Sequence, residues 1–102
     1  MIITTIDAVP GRQIAEVLGM CRGSGMKGAK TILSSFSDAN HINTMLKDVT
    51  SAEELAIINL TAAASELGAD AVIGTQIAST ALEDERNLKY VITIYGTAVK
   101  LT

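Results

Sequence analysis

The run Leu67-Gly68-Ala69-Asp70-Ala71-Val72-Ile73-Gly74 constrains the fold more than any other part of this chain. Gly68 suits the left-handed residue that closes a helix. Ala71, Val72 and Ile73 open a buried strand almost at once, so the run reads as a helix turning directly into a sheet. Tyr95-Gly96-Thr97-Ala98-Val99 reads as the last strand of that sheet. The two runs together require a core made of helix against sheet. Neither holds a nucleophile beside a base, a metal-ligand cluster or a phosphate loop, so they specify a fold and a mode of association rather than a reaction.

The rest of the chain is assigned around these two runs. Ile2-Ile3-Thr4-Thr5-Ile6 has the β-branched content of a short strand, and Pro10-Gly11 marks a turn. Gln13 to Ser24 predicts a second strand, with Ile14, Leu18 and Met20 on one parity and Ala15, Val17 and Cys21 on the other. Gly19, Gly23 and Gly25 in it signal a bulge, a bend or a close backbone approach. From Lys27 to Lys47, Ala29, Ile32, Leu33, Phe36 and Ala39 recur at helical spacing. Ser51-Ala52-Glu53-Glu54 has capping-box spacing and predicts a second helix, running to Leu67. Its sheet-facing stripe is expected to be Ala56, Ile57, Leu60, Ala63, Ala64 and Leu67, while Leu55, Ile58 and Ala62 form a flanking stripe that a monomer would expose. Ala71 to Ser79 and Leu88 to Leu101 read as strands joined through the charged loop Glu83 to Asn87. The expected order is ββααββ in a single domain, residues 1–102.

Size sharpens the argument about association. A compact domain of 102 residues has a radius of gyration of roughly 13 Å and a small interior. Yet 48% of the residues are hydrophobic and the mean hydropathy is +0.34. The surplus is expected to be buried between copies of the chain, as in obligate oligomers. None of the uncharged runs approaches the about 20 residues that span a bilayer, and the start lacks the basic region of a signal peptide. A cytoplasmic protein is therefore expected. The net charge of −3, with cations scattered singly, argues against a nucleic-acid surface.

Candidate sites are few. One chain offers Cys21, His41 and four Met to a metal, far short of the donors that a structural zinc site gathers. Cys21 reads either as a small buried hydrophobe or, in a symmetric ring with its strand facing the axis, as one thiolate of a cluster. His41 falls on the helical face with Ser34 and Asp38, in solvent, and is the other candidate ligand. Asp70 is placed to accept backbone N–H bonds at a turn. Gly23-Ser24-Gly25-Met26-Lys27-Gly28 before a predicted helix is a loose match to an anion-binding turn, with Gly23, Ser24, Gly25 and Lys27 as its ligand-binding candidates. A lone histidine without an orienting acid makes a hydrolytic triad untenable, so no enzyme is expected.

Thr4-Thr5, Pro10-Gly11, Glu16-Val17-Leu18-Gly19, Arg22-Gly23 and the two runs described first occur in the order and spacing found in the YbjQ-like family of small bacterial proteins, often labelled heavy-metal-binding. The chain resembles that family over its first quarter and last third. The resemblance implies an α+β, two-layer subunit of dodecin-like type, a mainly antiparallel sheet packed on helices, and ring-shaped homopentamers. The cofactor stays unknown: the family label offers a divalent or soft metal ion as a candidate, and no ligand motif carries over residue by residue. In the middle, Ser37 to Asn43 stand where the family has a Gly-Gly-Glu stretch and an acidic helix. The expectation is a non-enzymatic homo-oligomer that binds a metal ion or small ligand, or else an accessory or sensing domain that presents a ring surface to a protein partner. Leu55, Ile58 and Ala62 are its expected interface.

Overall fold

A computed structural model describes residues 1–30, 38–83 and 87–102, with the side chains of 27–30, 38–48, 82–83 and 87–88 left outside that description. Its elements are β1 (Ile2–Ile3), β2 (Ile14–Lys30), α1 (Asp38–Glu66), β3 (Ala71–Glu83) and β4 (Asn87–Leu101). The strands form one mixed sheet of order β1-β3-β4-β2. β1 runs parallel to β3, while β4 pairs antiparallel with both β3 and β2.

The fold remains α+β, but the order ββααββ with two helices is incorrect: the described residues contain one helix. At its start, Lys27 to Lys30, read from spacing as a first helical turn, extend β2 and pair with β4 as far as Lys30 opposite Asn87. Ile32, Leu33 and Phe36, which carried that helical reading, lie outside the described residues. Ser51 lies inside α1 and caps nothing. Val49, Ala52 and Ala56 carry the sheet-facing stripe straight across it, and continuous burial outweighs a capping preference of about 1 kcal/mol. The sheet is also not simply antiparallel, because β1 is delivered alongside β3.

The sequence signals at the helix end and the first turn are realised. Gly68 has φ +79°. Gly68 N–H donates to Ser65 C=O at 3.0 Å and Ala69 N–H to Ala64 C=O at 3.1 Å, the bond pair of a Schellman cap. Asp70 then extends the β3–β4 ladder with its side chain, its Oδ2 accepting the Leu101 N–H at 2.8 Å. In the turn after β1, Arg12 N–H donates to Val9 C=O at 3.0 Å and Gly11 has φ +78°, as a type II turn with Pro10 at its second position requires.

The core lies between α1 and one sheet face. Cys21, Val72, Ile92, Ile94 and Ala98 pack there against Ala52, Ala56, Leu60 and Ala64. This helical stripe is narrower than the expected one, for Ile57 and Leu67 are exposed. The reason is how closely α1 approaches β2. A Cβ on Gly23 would strike the Leu60 N–H and the Ala56 carbonyl, and one on Gly25 would strike the Ala52 carbonyl and approach the Ala56 nitrogen to 2.7 Å. Helix backbone therefore rests on strand backbone, and only alanines and one leucine fit the seam. The helix lies along β2, covers β4 in part and leaves β3 uncovered above Val72.

On the other face, Val9 folds back over Ala71, Ile73, Val99 and Leu101 at one end of the sheet. The remainder of that face is open. Substituting alanine at Gly23 is expected to cost about 2–3 kcal/mol by overpacking, whereas alanine at Gly11, where the added methyl meets nothing, costs about 1 kcal/mol through its positive φ alone. Urea unfolding midpoints of the two variants test the difference.

Candidate functional site

Two glycine bulges decide which side chains reach the open face. The β2–β4 register slips between Val17 and Gly19, where Gly19 has φ +119°. The β3–β4 register slips between Ile73 and Gln76, where Gly74 has φ +59°. Each bulge exchanges the faces of the residues beyond it. The simple parity expected for β2 is therefore corrected: Ile14, Val17 and Met20 share the open face, and Cys21 turns to the core.

Beyond the bulges the open face is a ladder of three-residue rungs. Met20 stands opposite Thr97 and Ile73, Arg22 opposite Tyr95 and Gln76, Ser24 opposite Thr93 and Ala78, and Met26 opposite Val91 and Thr80. Cross-strand neighbours of this kind lie within side-chain reach. Ser24 Oγ and Thr93 Oγ1 are hydrogen-bonded at 2.9 Å, and the Tyr95 hydroxyl donates to Gln76 Oε1 at 2.8 Å. Met20, Cys21, Arg22, Thr93 and Tyr95 line a shallow concavity of about 390 Å³. Arg22 is the one charged side chain on these four rungs, and Met20 is 79% exposed.

The expected site residues are dispersed. Cys21 is only 6% exposed and belongs to the helix–sheet core, where burial pushes its thiol pKa up. The side chains of His41 and Lys27 lie outside the described residues. Gly23, Ser24 and Gly25 lie in mid-strand, with β2 continuing to Lys30, so they form no turn: the two glycines serve the helix contact, and Ser24 joins the open face. Leu55, Ile58 and Ala62 are exposed along one flank of α1. Arg22, Thr93, Tyr95 and Gln76 were not picked out from the sequence as site residues. One available signal was that Arg22 is the only charge between Glu16 and Lys27.

A single motif-bearing sheet and helix with a Gly68 cap and an Asp70 ladder bond can be compared with known proteins as a whole. The family model described as "Putative heavy-metal-binding" matches residues 1–102. The chain belongs to the YbjQ family. Curated relatives named UPF0145 protein include one from Psychromonas ingrahamii, 34% identical with 99% of this chain and 98% of the relative matched. Another, from Thermotoga petrophila, is 35% identical over 99% and 97% of the two chains. A solved structure from Pediococcus pentosaceus, a protein of unknown function of the DUF74 family, superposes with a TM-score of 0.70 at 17% identity, covering 100% of this chain and 98% of that one. This last similarity concerns the fold.

The family description raises a metal, and the described residues of one subunit do not gather the donors for one. Among the described residues no three His, Cys, Asp or Glu side chains converge. Cys21, the soft donor, is neutral and enclosed by alanine and leucine, whereas a metal ligand must be a thiolate. No helix among the described residues is long and apolar enough to cross a membrane.

The raised Cys21 pKa has a definite sign in stability. Below the ordinary value of 9.0 the thiol is protonated folded or unfolded, and its burial counts fully. As pH rises past that value the unfolded chain ionises first, so stability falls until the folded pKa is passed. Denaturation midpoints between pH 8 and pH 11 are expected to decline less in Cys21→Ala. The native thiol is also expected to react with Ellman's reagent at least about tenfold more slowly than in urea.

Proposed function

We propose that this protein acts as a non-enzymatic, closed homo-oligomeric ring, each subunit offering one side of its sheet to the opposite side of the next. The observation that carries the reading is the mismatch between the two sides of the protomer. On one side, β2 is an edge strand with no outer neighbour among the described residues. The flank of α1 above it holds Leu55, Ile58 and Ala62, and Ile58 is 63% exposed. Asn59 anchors that flank, its Nδ2 donating to the Ser24 carbonyl at 2.7 Å. On the other side, β3 is paired by β1 only at Ala71 and Val72, with further backbone bonds to Gly74 and Thr75. From Gln76 onward its edge is free among the described residues, and Ile77, on the helix-side face that α1 leaves bare, is 58% exposed.

These sides are complementary. An apolar helix flank overhangs one edge, and an uncovered apolar strip borders the other. β2 and β3 run in the same direction, since each is antiparallel to β4, so copies placed side by side would pair the two edges in parallel. Such a heterologous contact repeats and closes into a ring when the rotation allows. It would also remove two exposed strand edges, which a monomer has to protect by other means. Pentamers, as the family resemblance implies, are one closure of this contact.

The size of the protomer supports the same reading. Its radius of gyration is 16.8 Å and its extents are 54 × 22 × 15 Å, against roughly 13 Å for a compact chain of this length. Its surface of 6577 Å² exceeds the about 5500 Å² expected of a compact monomer of its mass. The excess is on the order of the about 800 Å² per partner buried in a standard interface. The orientation follows from polarity. The outer face of α1 carries Ser51, Glu54 and Ser65, all exposed, while the open sheet face carries Met20, Met26 and Val17, so the sheet turns inward and the helices outward. Ser24 and Thr93 hydroxyls bonded to each other, not to a base, favour binding over catalysis on that face.

Light scattering at micromolar concentration is expected to give a whole-number multiple of the 10.7 kDa subunit mass. Ile58→Asp and Ile77→Asp, on opposite sides of the contact, are each expected to reduce it to the monomer. A wild-type monomer sinks the reading, and so does an unchanged mass in both variants.

A further inference from the structure

The open sheet face combines a cation that has no acidic partner among the described residues with hydrogen-bond donors and soft apolar surface. We infer that the Arg22 rung binds an oxyanion carried on a small apolar body, either an organic carboxylate or an organic phosphate. Enclosure of this site rests on the ring reading, but its chemistry does not.

Charge is the first argument. The chain has a net charge of −3, yet the four rungs from Met20 to Met26 place one guanidinium among Met, Thr, Tyr, Ser, Gln, Val, Ile and Ala, with no carboxylate. Its planar fork matches a carboxylate or phosphate with two parallel bonds. A bound cation would find no counter-charge on these rungs.

The neighbouring hydrogen bonds point the same way. In the Ser24–Thr93 pair one hydroxyl hydrogen closes the bond at 2.9 Å, which leaves the second to be donated elsewhere. Gln76 spends its carbonyl oxygen on the Tyr95 hydroxyl, and its two amide hydrogens remain. The rung and the one beside it thus present donor hydrogens beside the guanidinium. Met20 and the Tyr95 ring line the same concavity. A thioether adapts to an apolar body of varied shape, and a space of about 390 Å³ falls within the range of small-molecule sites.

Titration calorimetry at constant ionic strength tests this with phenyl phosphate, benzoate and inorganic phosphate as probes and benzylamine as the cationic control. Each protein is weighed by light scattering first. Phenyl phosphate or benzoate is expected to saturate at one per subunit and to bind more tightly than inorganic phosphate, and benzylamine is expected not to bind. The stronger organic arm identifies the oxyanion. Arg22→Gln is expected to weaken binding about tenfold or more with no change in mass, and Arg22→Lys to weaken it less. Absence of saturation by all three anions in an assembled ring overturns the site and leaves the ring standing. Binding by a monomer upholds the site and overturns the ring. Equal affinity in Arg22→Gln overturns the site, as does a change of its mass without ligand, which would assign Arg22 to a contact between subunits.

Discussion

The contact on which the rest of the architecture depends is between backbones: α1 lies on β2 where Gly23 and Gly25 have no side chains to hold it off. An ordinary helix on a sheet is kept away by two layers of side chains and spreads over several strands. Here one layer is missing at the centre of the seam, so the helix settles deeply along one edge strand. The apolar stripe that seals it shrinks accordingly to Ala52, Ala56, Leu60 and Ala64. Alanines lose no side-chain entropy on burial, and the dense backbone contact compensates for the apolar area they lack.

That placement breaks the lateral symmetry of the protomer. With α1 over β2, its flank overhangs the β2 edge, while β3 keeps an uncovered strip around Ile77 and an edge that β1 reaches only at its first two residues. A helix centred on the sheet would have covered both strips equally and left like sides, which favour two-fold pairing. Unlike sides favour head-to-tail addition. The elongated shape has the same origin, since three long strands and a 29-residue helix lie side by side instead of folding back into a globule.

What was legible in the sequence was the chemistry of chain reversal and the existence of the strands. Pro10-Gly11 and the Gly68 cap appear where local rules put them, because each is decided within a few residues or by one obligatory φ, whereas Asp70 accepts its backbone N–H from Leu101 on β4 and not within a local turn. Exposure of Leu55 and Ile58 was legible too, from angular position on the helix. The extent of α1 was not, because Ser51 and Glu54 offer a local start signal that a longer stripe overrides. Lys27 to Lys30 misled for the converse reason: their spacing suits a helix, but the β4 partners that hold them in a strand lie some sixty residues away. The glycines of β2 signal a bulge, a bend or a close approach in the sequence, without any local means of deciding which is which. Gly19 forms the bulge, and Gly23 and Gly25 form the approach.

The candidate site depended on that distinction. With Val17 opposite Val99, an unbroken antiparallel ladder would carry Cys21 to Tyr95 on the open face and turn Arg22 toward the helix. The extra residue at Gly19 reverses this, sending Cys21, Gly23 and Gly25 inward as a row that the helix backbone can approach, and Arg22 and Ser24 outward. The same device acts in β3. Without the slip at Gly74, Thr75 would face Tyr95. With it, Thr75 is buried and donates its hydroxyl to the Thr4 carbonyl at 3.0 Å, and Gln76 takes the place beside the tyrosine. The two bulges therefore do one job from both sides of β4, matching a seam that tolerates no side chain to an outer rung that carries a guanidinium. An arginine in the seam would leave a buried charge without a partner at a cost of several kcal/mol, so the register that lets α1 dock is also the register that presents Arg22.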